Sequence, residues 1–240
     1  MSTPYDRAID PKQYDGLQWI NEGLADSART AFFADYLEPY MATWQGKRVL
    51  DIGAGVGWLV ADALERGATL AVGIEPSLDH VQRGAIDHPQ AELVQTTLEA
   101  YDAQGQTFDR IISVMAFPHI ADLDASFAKV SSLLAKDGEV ILIIPDYDYF
   151  QMPREGYKID IQDLGDEDSY AVTITRPSGP LADIVRKTSV YERAARAAGL
   201  CLLREIAMTP TDQHIERVPK YATMRDTALT RLLVFGPSER

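Results

Sequence analysis

Short apolar segments alternate with amphipathic stretches through the middle of the chain, from Lys47 to Ile144. Runs of Val, Ile and Leu are typical of strands buried on both faces, and the stretches between them place apolar residues at helical spacing. Repeated strand, helix, strand units predict a largely parallel sheet covered by helices on both sides. The pattern therefore predicts an α/β fold with a doubly wound sheet.

Turn and cap residues divide this region into individual elements. Five strands are predicted, at 48–52, 70–74, 93–95, 111–115 and 140–144. Helices are predicted between them, over 58–66, 78–87 and 123–134. Asp137-Gly138 is expected to turn the chain into the fifth strand.

The alternation breaks after Pro145, where the chain becomes rich in charge, Tyr, Gly and Pro. Two β-like pieces in the segment 146–180 predict an inserted antiparallel ribbon, with strands at 158–161 and 170–175. The capping box Ser189-x-x-Glu192 then predicts a helix that ends at Gly199. Two late strands close the pattern, at 200–206 and 229–235, and the polar segment 207–225 between them is expected to be a loop.

The first 45 residues form a separate zone. Phe32, Phe33, Tyr36 and Leu37 predict a helix that ends at Pro39. We therefore expect an N-terminal helical lid over residues 1–45 and a binding domain over 46–236, with the insertion at about 146–180.

Composition narrows the function classes. The chain has 240 residues, a formal charge of −13 and one Cys, so it cannot form an internal disulfide. The polar N-terminus and the short apolar run 140–144 predict a cytoplasmic protein with no membrane contact. Such an acidic chain is also unsuited to a bare phosphate backbone, so no nucleic-acid partner is expected.

The sequence VLDIGAGVG, residues 49–57, places three glycines in alternate positions after a buried strand. Glycine permits a sharp turn and the close approach of a ligand to the backbone. A dinucleotide motif would have a third glycine at the position of Trp58, so NAD and FAD are disfavoured. Glu75 ends the next strand, where a carboxylate can bind the vicinal diol of a ribose. The alternative is a tight structural turn with an acid at a helix N-terminus.

These segments resemble, in order and spacing, the motifs of class I S-adenosylmethionine-dependent methyltransferases. The matching sequences are VLDIGAGVG, AVGIEPS (71–77), FDRIISVMAFPHI (108–120), LLAKDGEVILIIP (133–145) and YERAARAAGLCLL (191–203). The resemblance covers about residues 40–236 and implies a seven-stranded sheet with a reversed last strand. It also implies S-adenosyl-L-methionine as the cofactor.

Cofactor-binding residues follow from the resemblance position by position. It implies that the methionine part contacts Asp51, Gly53, Ala54 and Gly55. It places Glu75 at the ribose, Pro76 near the adenine, and Val114 and Met115 facing the sulfonium. Thr97 and Leu98 stand in the segment that usually carries an acid reading the adenine amino group. That acid is absent here, and Glu99 is the alternative.

Methyl transfer from a sulfonium mainly requires alignment of donor and acceptor and the handling of one proton. His119, just after the fourth strand, is the candidate general base, because imidazole titrates near neutrality. Tyr14 in the lid is a second candidate, for capping the methionine end of the cofactor or positioning the acceptor. The alternatives are a structural histidine and a surface tyrosine. Asp146 and Asp148 follow the fifth strand without further ligands at metal spacing, so no metal site is expected.

The predicted acceptor is a small molecule. SVMAFPH (113–119) lacks the paired prolines of enzymes that methylate nucleobase amino groups, and the ribbon tyrosines could wall an apolar pocket. A homodimer contact and a solvated hairpin are the alternative uses of the ribbon. Its acids would favour a cationic acceptor if they line the pocket: Asp146, Asp148, Glu155 and Asp160. Two other functions stay open: S-adenosylmethionine binding without methyl transfer, and a nicotinamide-dependent oxidoreductase.

Overall fold

Two β-sheets organise the computed structural model, which describes residues 27–176 and 179–238. The strands are β1 Arg48–Ile52, β2 Leu70–Glu75, β3 Glu92–Gln95, β4 Phe108–Val114, β5 Leu134–Pro145, β6 Lys158–Asp163, β7 Ser169–Arg176, β8 Gly179–Arg186, β9 Leu200–Met208 and β10 Thr230–Pro237. The α-helices are α1 Ser27–Met41, α2 Trp58–Glu65, α3 Leu78–Asp87, α4 Leu123–Leu133, α5 Thr188–Ala197 and α6 Asp212–Arg217. Short 3₁₀ helices lie at Phe117–His119, Tyr149–Gln151 and Pro219–Met224.

The larger sheet has seven strands in the order β3-β2-β1-β4-β5-β10-β9. The strands β1 to β5 run parallel, whereas β10 is antiparallel to both β5 and β9. The chain moves from β1 to one side of the sheet and later returns to pair β4 with the other side of β1. This reversal creates a crevice at the carboxyl ends of β1 and β4, where open α/β sheets bind their ligands. The predicted seven-stranded sheet with a reversed last strand is confirmed.

Helices cover both faces because successive strand residues point to opposite sides. In β1, Leu50 joins the core beneath α4 and α5, whereas Val49 joins the core beneath α1 and α2. The centres of these two cores are fully buried aromatic side chains, Phe127 in the first and Trp44 in the second. No helix within 27–176 or 179–238 is long and apolar enough to cross a bilayer.

The prediction that the first helix ends at Pro39 is wrong, because α1 continues to Met41. A proline removes one backbone donor, and this one lies in the last turn of the helix. The N–H of Ala42 still donates to the carbonyl of Glu38 at 2.9 Å. Buried Leu37 and Met41 hold the final turn against the sheet.

The capping box predicted at Ser189 and Glu192 is also wrong. Helix α5 begins at Thr188, and its N-cap residue, Lys187, makes no side-chain cap bond. The Thr188 hydroxyl instead donates to Glu205 at 2.8 Å, so the start of α5 is fixed by a contact with β9. The spacing of residues in the sequence cannot predict a contact with a residue as distant in the chain as Glu205.

The inserted ribbon is confirmed but has three strands, in the order β6-β7-β8, and extends to Arg186. The third strand, β8, was not predicted. Segment 207–225 is likewise not a plain loop, since it contains α6 and a 3₁₀ helix. The expected turn at Asp137-Gly138 lies within β5, whose pairing with β4 shifts register between Phe108 and Arg110.

We expect Phe127→Ala to destabilise the protein by about 3–5 kcal/mol, because a fully buried ring would leave a cavity beneath the sheet. Urea denaturation followed by circular dichroism measures this loss. Leu203→Ala is the control, since Leu203 is 55% exposed. It should change the free energy of unfolding by no more than about 0.5 kcal/mol. Equal losses in both variants would contradict the assigned core.

Candidate active site

The glycine loop connects β1 to α2 at the crevice. The amides of Gly53 and Ala54 both donate to the carbonyl of Ile74, at 2.8 and 3.1 Å. Gly53 has φ +73°, and a Cβ added there would lie 2.3 Å from the Cβ of Ala116, just after β4. Gly55 has φ +56°, but an added Cβ would meet no atom of the described residues within 4 Å, its chain neighbours aside. Packing therefore requires glycine at 53, while the backbone at 55 borders open space.

Glu75 fixes the loop from the end of β2. Its side chain is buried, and Oε2 accepts the N–H of Gly55 at 2.9 Å. Oε1 accepts the N–H of Ser77, also at 2.9 Å, at the start of α3. His80 Nδ1 lies 3.5 Å from the same Oε1. One carboxylate thus joins the glycine loop to the next strand-to-helix turn.

Asp51 lies beneath the same loop and is almost fully buried. Burial, followed by the nearby charge of Glu75, raises the pKa of Asp51 to about 8. A carboxyl with this pKa is mostly protonated at neutral pH, so the two acids do not carry two charges side by side. The protonated group can also donate a hydrogen bond.

The remaining residues assigned to the adenine side lie next to Glu75 in the chain or in space. Pro76 is half-buried directly after β2. The N–H of Thr96 donates to the carbonyl of Glu75 at 3.2 Å, which brings the end of β3 to this edge of the sheet. Thr97 accepts the N–H of Ala100 through its hydroxyl at 3.4 Å, and Leu98 is buried in the core.

Val114 ends β4 on the other side of the crevice, and Met115 follows it directly. Met115 has φ +59°, an unusual value for a side chain other than glycine. Its N–H still donates to the carbonyl of Ile143 at 2.9 Å. The side chain contacts the core under α1 and also the core of the ribbon. A strained backbone costs about 1–3 kcal/mol and is frequent at functional sites.

His119 lies in the 3₁₀ helix that follows β4, with its N–H bonded to the carbonyl of Ala116 at 3.0 Å. Since Ala116 contacts Gly53, this turn adjoins the glycine loop. The imidazole is 25% exposed, and its Nδ1 lies 3.5 Å from Oδ1 of Asp183 in β8. Tyr14, the second catalytic candidate, lies outside the described residues.

Asp183 is a residue that the sequence analysis missed. Its side chain is only 2% exposed. The segment 181–186 reads LADIVR, in which apolar residues surround a lone acid, and this short β-prone run could have revealed the strand. The predicted ribbon lacks this third strand because the prolines near 177–180 resemble the end of an insertion.

Both carboxylate oxygens of Asp146 accept hydrogen bonds from other residues of the protein. Its Oδ2 accepts Nε of Arg231 at 2.8 Å, and its Oδ1 accepts the amides of Asp148 and Tyr149 at 3.1 and 2.9 Å. These bonds shape the turn after β5. Across the described parts of the chain, no group of three or more His, Cys, Asp or Glu side chains could hold a metal ion.

The reversed last strand, the glycine loop at the switch point and the acid ending β2 define an α/β protein that binds a nucleoside-containing cofactor. A family model described as "Methyltransferase domain" matches residues 25–203. The chain therefore belongs to the methyltransferase-domain family, and its resemblance to class I S-adenosylmethionine-dependent methyltransferases is confirmed.

Curated relatives match over shorter stretches. A tRNA U34 carboxymethyltransferase from Photobacterium profundum is 32% identical over 114 residues, which cover 45% of this chain and 35% of the relative. A ubiquinone biosynthesis O-methyltransferase from Brucella anthropi is 31% identical over 104 residues, which cover 42% of this chain and 41% of the relative. The chain thus spans less than half the length of these relatives.

Solved structures share the fold over most of the chain. A Listeria monocytogenes protein has a TM-score of 0.72 at 19% identity, covering 89% of this chain and 100% of its own. An S-adenosylmethionine-dependent methyltransferase from Mesorhizobium loti has a TM-score of 0.65 at 20% identity, with coverages of 83% and 96%. At these identities the likeness establishes the fold.

The raised pKa of Asp51 predicts a pH-dependent stability. Between its ordinary value of 3.8 and about 8, the folded protein binds a proton that the unfolded chain has released. The free energy of unfolding should therefore fall as pH rises through this window, by at most about 1.4 kcal/mol per pH unit. Asp51→Asn removes this proton, so the stability of the variant relative to wild type should increase with pH.

Urea denaturation at several pH values between about 5 and 8 measures the difference. Asp148→Asn, at an exposed carboxyl, controls for the loss of one negative charge. A difference between Asp51→Asn and wild type that does not change with pH would contradict the protonated state of Asp51.

Proposed function

We propose that the chain binds S-adenosylmethionine at the glycine loop and methylates an oxygen, nitrogen or carbon atom of a small-molecule acceptor. The observation that carries this proposal is the open space at Gly55, bordered by a loop that Glu75 holds in place. Membership of the methyltransferase-domain family supports the reaction class.

The residues at the crevice fit the cofactor. Among the described residues, none beyond the chain neighbours lies within 4 Å of a Cβ placed at Gly55, so a ligand can approach this backbone closely. Glu75 uses two of about four lone-pair positions of its carboxylate on backbone amides, which leaves acceptors for a ribose diol. Trp58 opens α2 where a dinucleotide fold has its third glycine, so a nicotinamide cofactor is the weaker alternative.

When bound, S-adenosylmethionine supplies an activated methyl group on a sulfonium. The contribution of the protein is then to align the acceptor, exclude water and accept one proton. We assign the proton to His119, whose imidazole is partly exposed and whose turn contacts the glycine loop. Val114 and Met115 line the approach between the loop and the ribbon, and Tyr14 is proposed to position the acceptor.

The acceptor side is proposed to be walled by the ribbon. Phe150 and Tyr170 form its buried core, and partly buried Tyr147, Tyr149 and Met115 pack against it. Apolar walls with a few polar groups suit a small organic acceptor. Curated relatives include a tRNA U34 carboxymethyltransferase, but the net charge of −13 is unfavourable for binding a bare phosphate backbone and so supports the small-molecule acceptor.

Gly55→Val is expected to weaken S-adenosylmethionine binding by at least about a hundredfold, because the side chain would occupy the space next to the backbone. Isothermal titration calorimetry measures this effect. Gly105→Val is the matched control, since Gly105 also has positive φ, +79°, and no atom within 4 Å of an added Cβ.

The control carries similar backbone strain away from the crevice and should bind normally. Equal affinities for wild type, Gly55→Val and Gly105→Val would make the loop purely structural. No heat from S-adenosylmethionine with folded wild-type protein, together with binding of NAD, would favour the oxidoreductase alternative.

Turnover should appear as released S-adenosylhomocysteine with a member of a panel of phenols, amines and carboxylic acids. A parallel assay with bulk tRNA separates the two acceptor classes. Release with tRNA alone would overturn the small-molecule assignment. Cofactor binding without release in either assay would favour a binding protein that does not transfer methyl groups.

A further inference from the structure

The inner face of the ribbon carries a buried carboxylate among apolar side chains. Asp183 pairs with Val172 across the β7–β8 ladder, so the two side chains share one face. The same face carries Tyr170, Ile174, Leu181 and Val185, which form the ribbon core against Met115. A carboxylate in such surroundings is costly unless it meets a charged or hydrogen-bonding partner.

His119 is one partner within reach. Its Nδ1 lies 3.5 Å from Oδ1 of Asp183, which is itself only 2% exposed. The imidazole is 25% exposed, so the ring is partly accessible to solvent while its Nδ1 lies near the acid. A buried carboxylate next to one ring nitrogen can fix the orientation and tautomer of a histidine.

Two further polar groups pack around this pair. The guanidinium of Arg186 donates to the carbonyls of Ile120 and Ala121, at 2.8 and 3.2 Å, and so fixes the chain just after His119. The Tyr191 hydroxyl of α5 is fully buried, and burial raises its pKa to about 12. Tyr191 is therefore neutral at neutral pH, and both Arg186 and Asp183 lie close enough to its hydroxyl to influence this pKa.

We propose that Asp183 is a positioning residue that holds His119 with its Nδ1–H toward the ribbon and its Nε2 lone pair toward the acceptor. This inference rests on the proposed function, in which His119 accepts the proton of the acceptor. The proton leaves the oxygen or nitrogen of the acceptor and binds Nε2 of His119. The electrons of the broken bond remain on the acceptor oxygen or nitrogen as its nucleophilic lone pair. The resulting imidazolium lies beside the Asp183 carboxylate, which stabilises its charge.

The tautomer of His119 tests the positioning directly and needs no acceptor. The nitrogen shifts of ¹⁵N-histidine-labelled protein distinguish Nδ1–H from Nε2–H in the neutral ring, at a pH about two units above the usual imidazole midpoint. Comparison with His119→Gln assigns the signals among the four histidines. We expect Nδ1–H in the wild type.

Asp183→Asn should change this state, because the side-chain amide can donate to Nδ1 and favour the Nε2–H form. Asp160→Asn is the matched control and should leave the tautomer unchanged. The Asp160 side chain lies on the exposed strand β6 and is itself 54% exposed. A wild-type ring in the Nε2–H form, or the same tautomer in the wild type and Asp183→Asn, would overturn the proposal.

Kinetics with an acceptor from the panel give the second test. His119→Gln should lower kcat by about a hundredfold or more, and Asp183→Asn by about ten- to a hundredfold. The affinity for S-adenosylmethionine should stay within about twofold in both. In the double variant, Asp183→Asn should cause little further loss, because its effect acts through His119.

The outcomes separate this proposal from the proposed function. Absence of cofactor binding or of turnover in the wild type counts against the proposed function, whereas the tautomer measurement still decides the role of Asp183. Wild-type turnover with additive losses in the double variant would show that Asp183 does not act through His119.

Discussion

The Glu75 carboxylate is the interaction on which the cofactor crevice depends. It is buried at the end of β2, and its oxygens bind the amides of Gly55 and Ser77 at 2.9 Å each. Amide bonds offset the cost of burying the charge, and they fix two strand-to-helix turns at once. Asp51 beneath the loop is protonated, so no second negative charge lies next to Glu75. Contacts within the protein therefore hold the loop in its conformation.

The two sheets contribute different residues to the candidate site. The seven-stranded sheet supplies the glycine loop and Glu75, which are suited to a nucleoside cofactor. The ribbon adds the apolar wall around Phe150 and the carboxylate of Asp183 behind His119. Strained Met115 lies where the two meet, in contact with the cores of both.

Strands such as β1 and β5 could be predicted from the sequence because burial on both faces leaves continuous apolar runs. The glycine loop and Glu75 could be predicted because backbone chemistry dictates their residue types. The start of α5 could not, since Thr188 is fixed by Glu205 across the fold. Asp183 could not either, because its meaning depends on a strand that meets His119 over 60 residues earlier in the chain.

The acids around the site also bear on what the net charge means for the acceptor. Asp51 is protonated near neutrality, Asp146 is bonded to Arg231, and Asp183 lies beside His119. Asp160, on the exposed strand β6, pairs with Lys158 at 2.8 Å. The acids nearest the crevice are thus neutral or partnered within the protein. Because a partnered carboxylate attracts a ligand cation weakly, the overall charge of −13 does not by itself select a cationic acceptor.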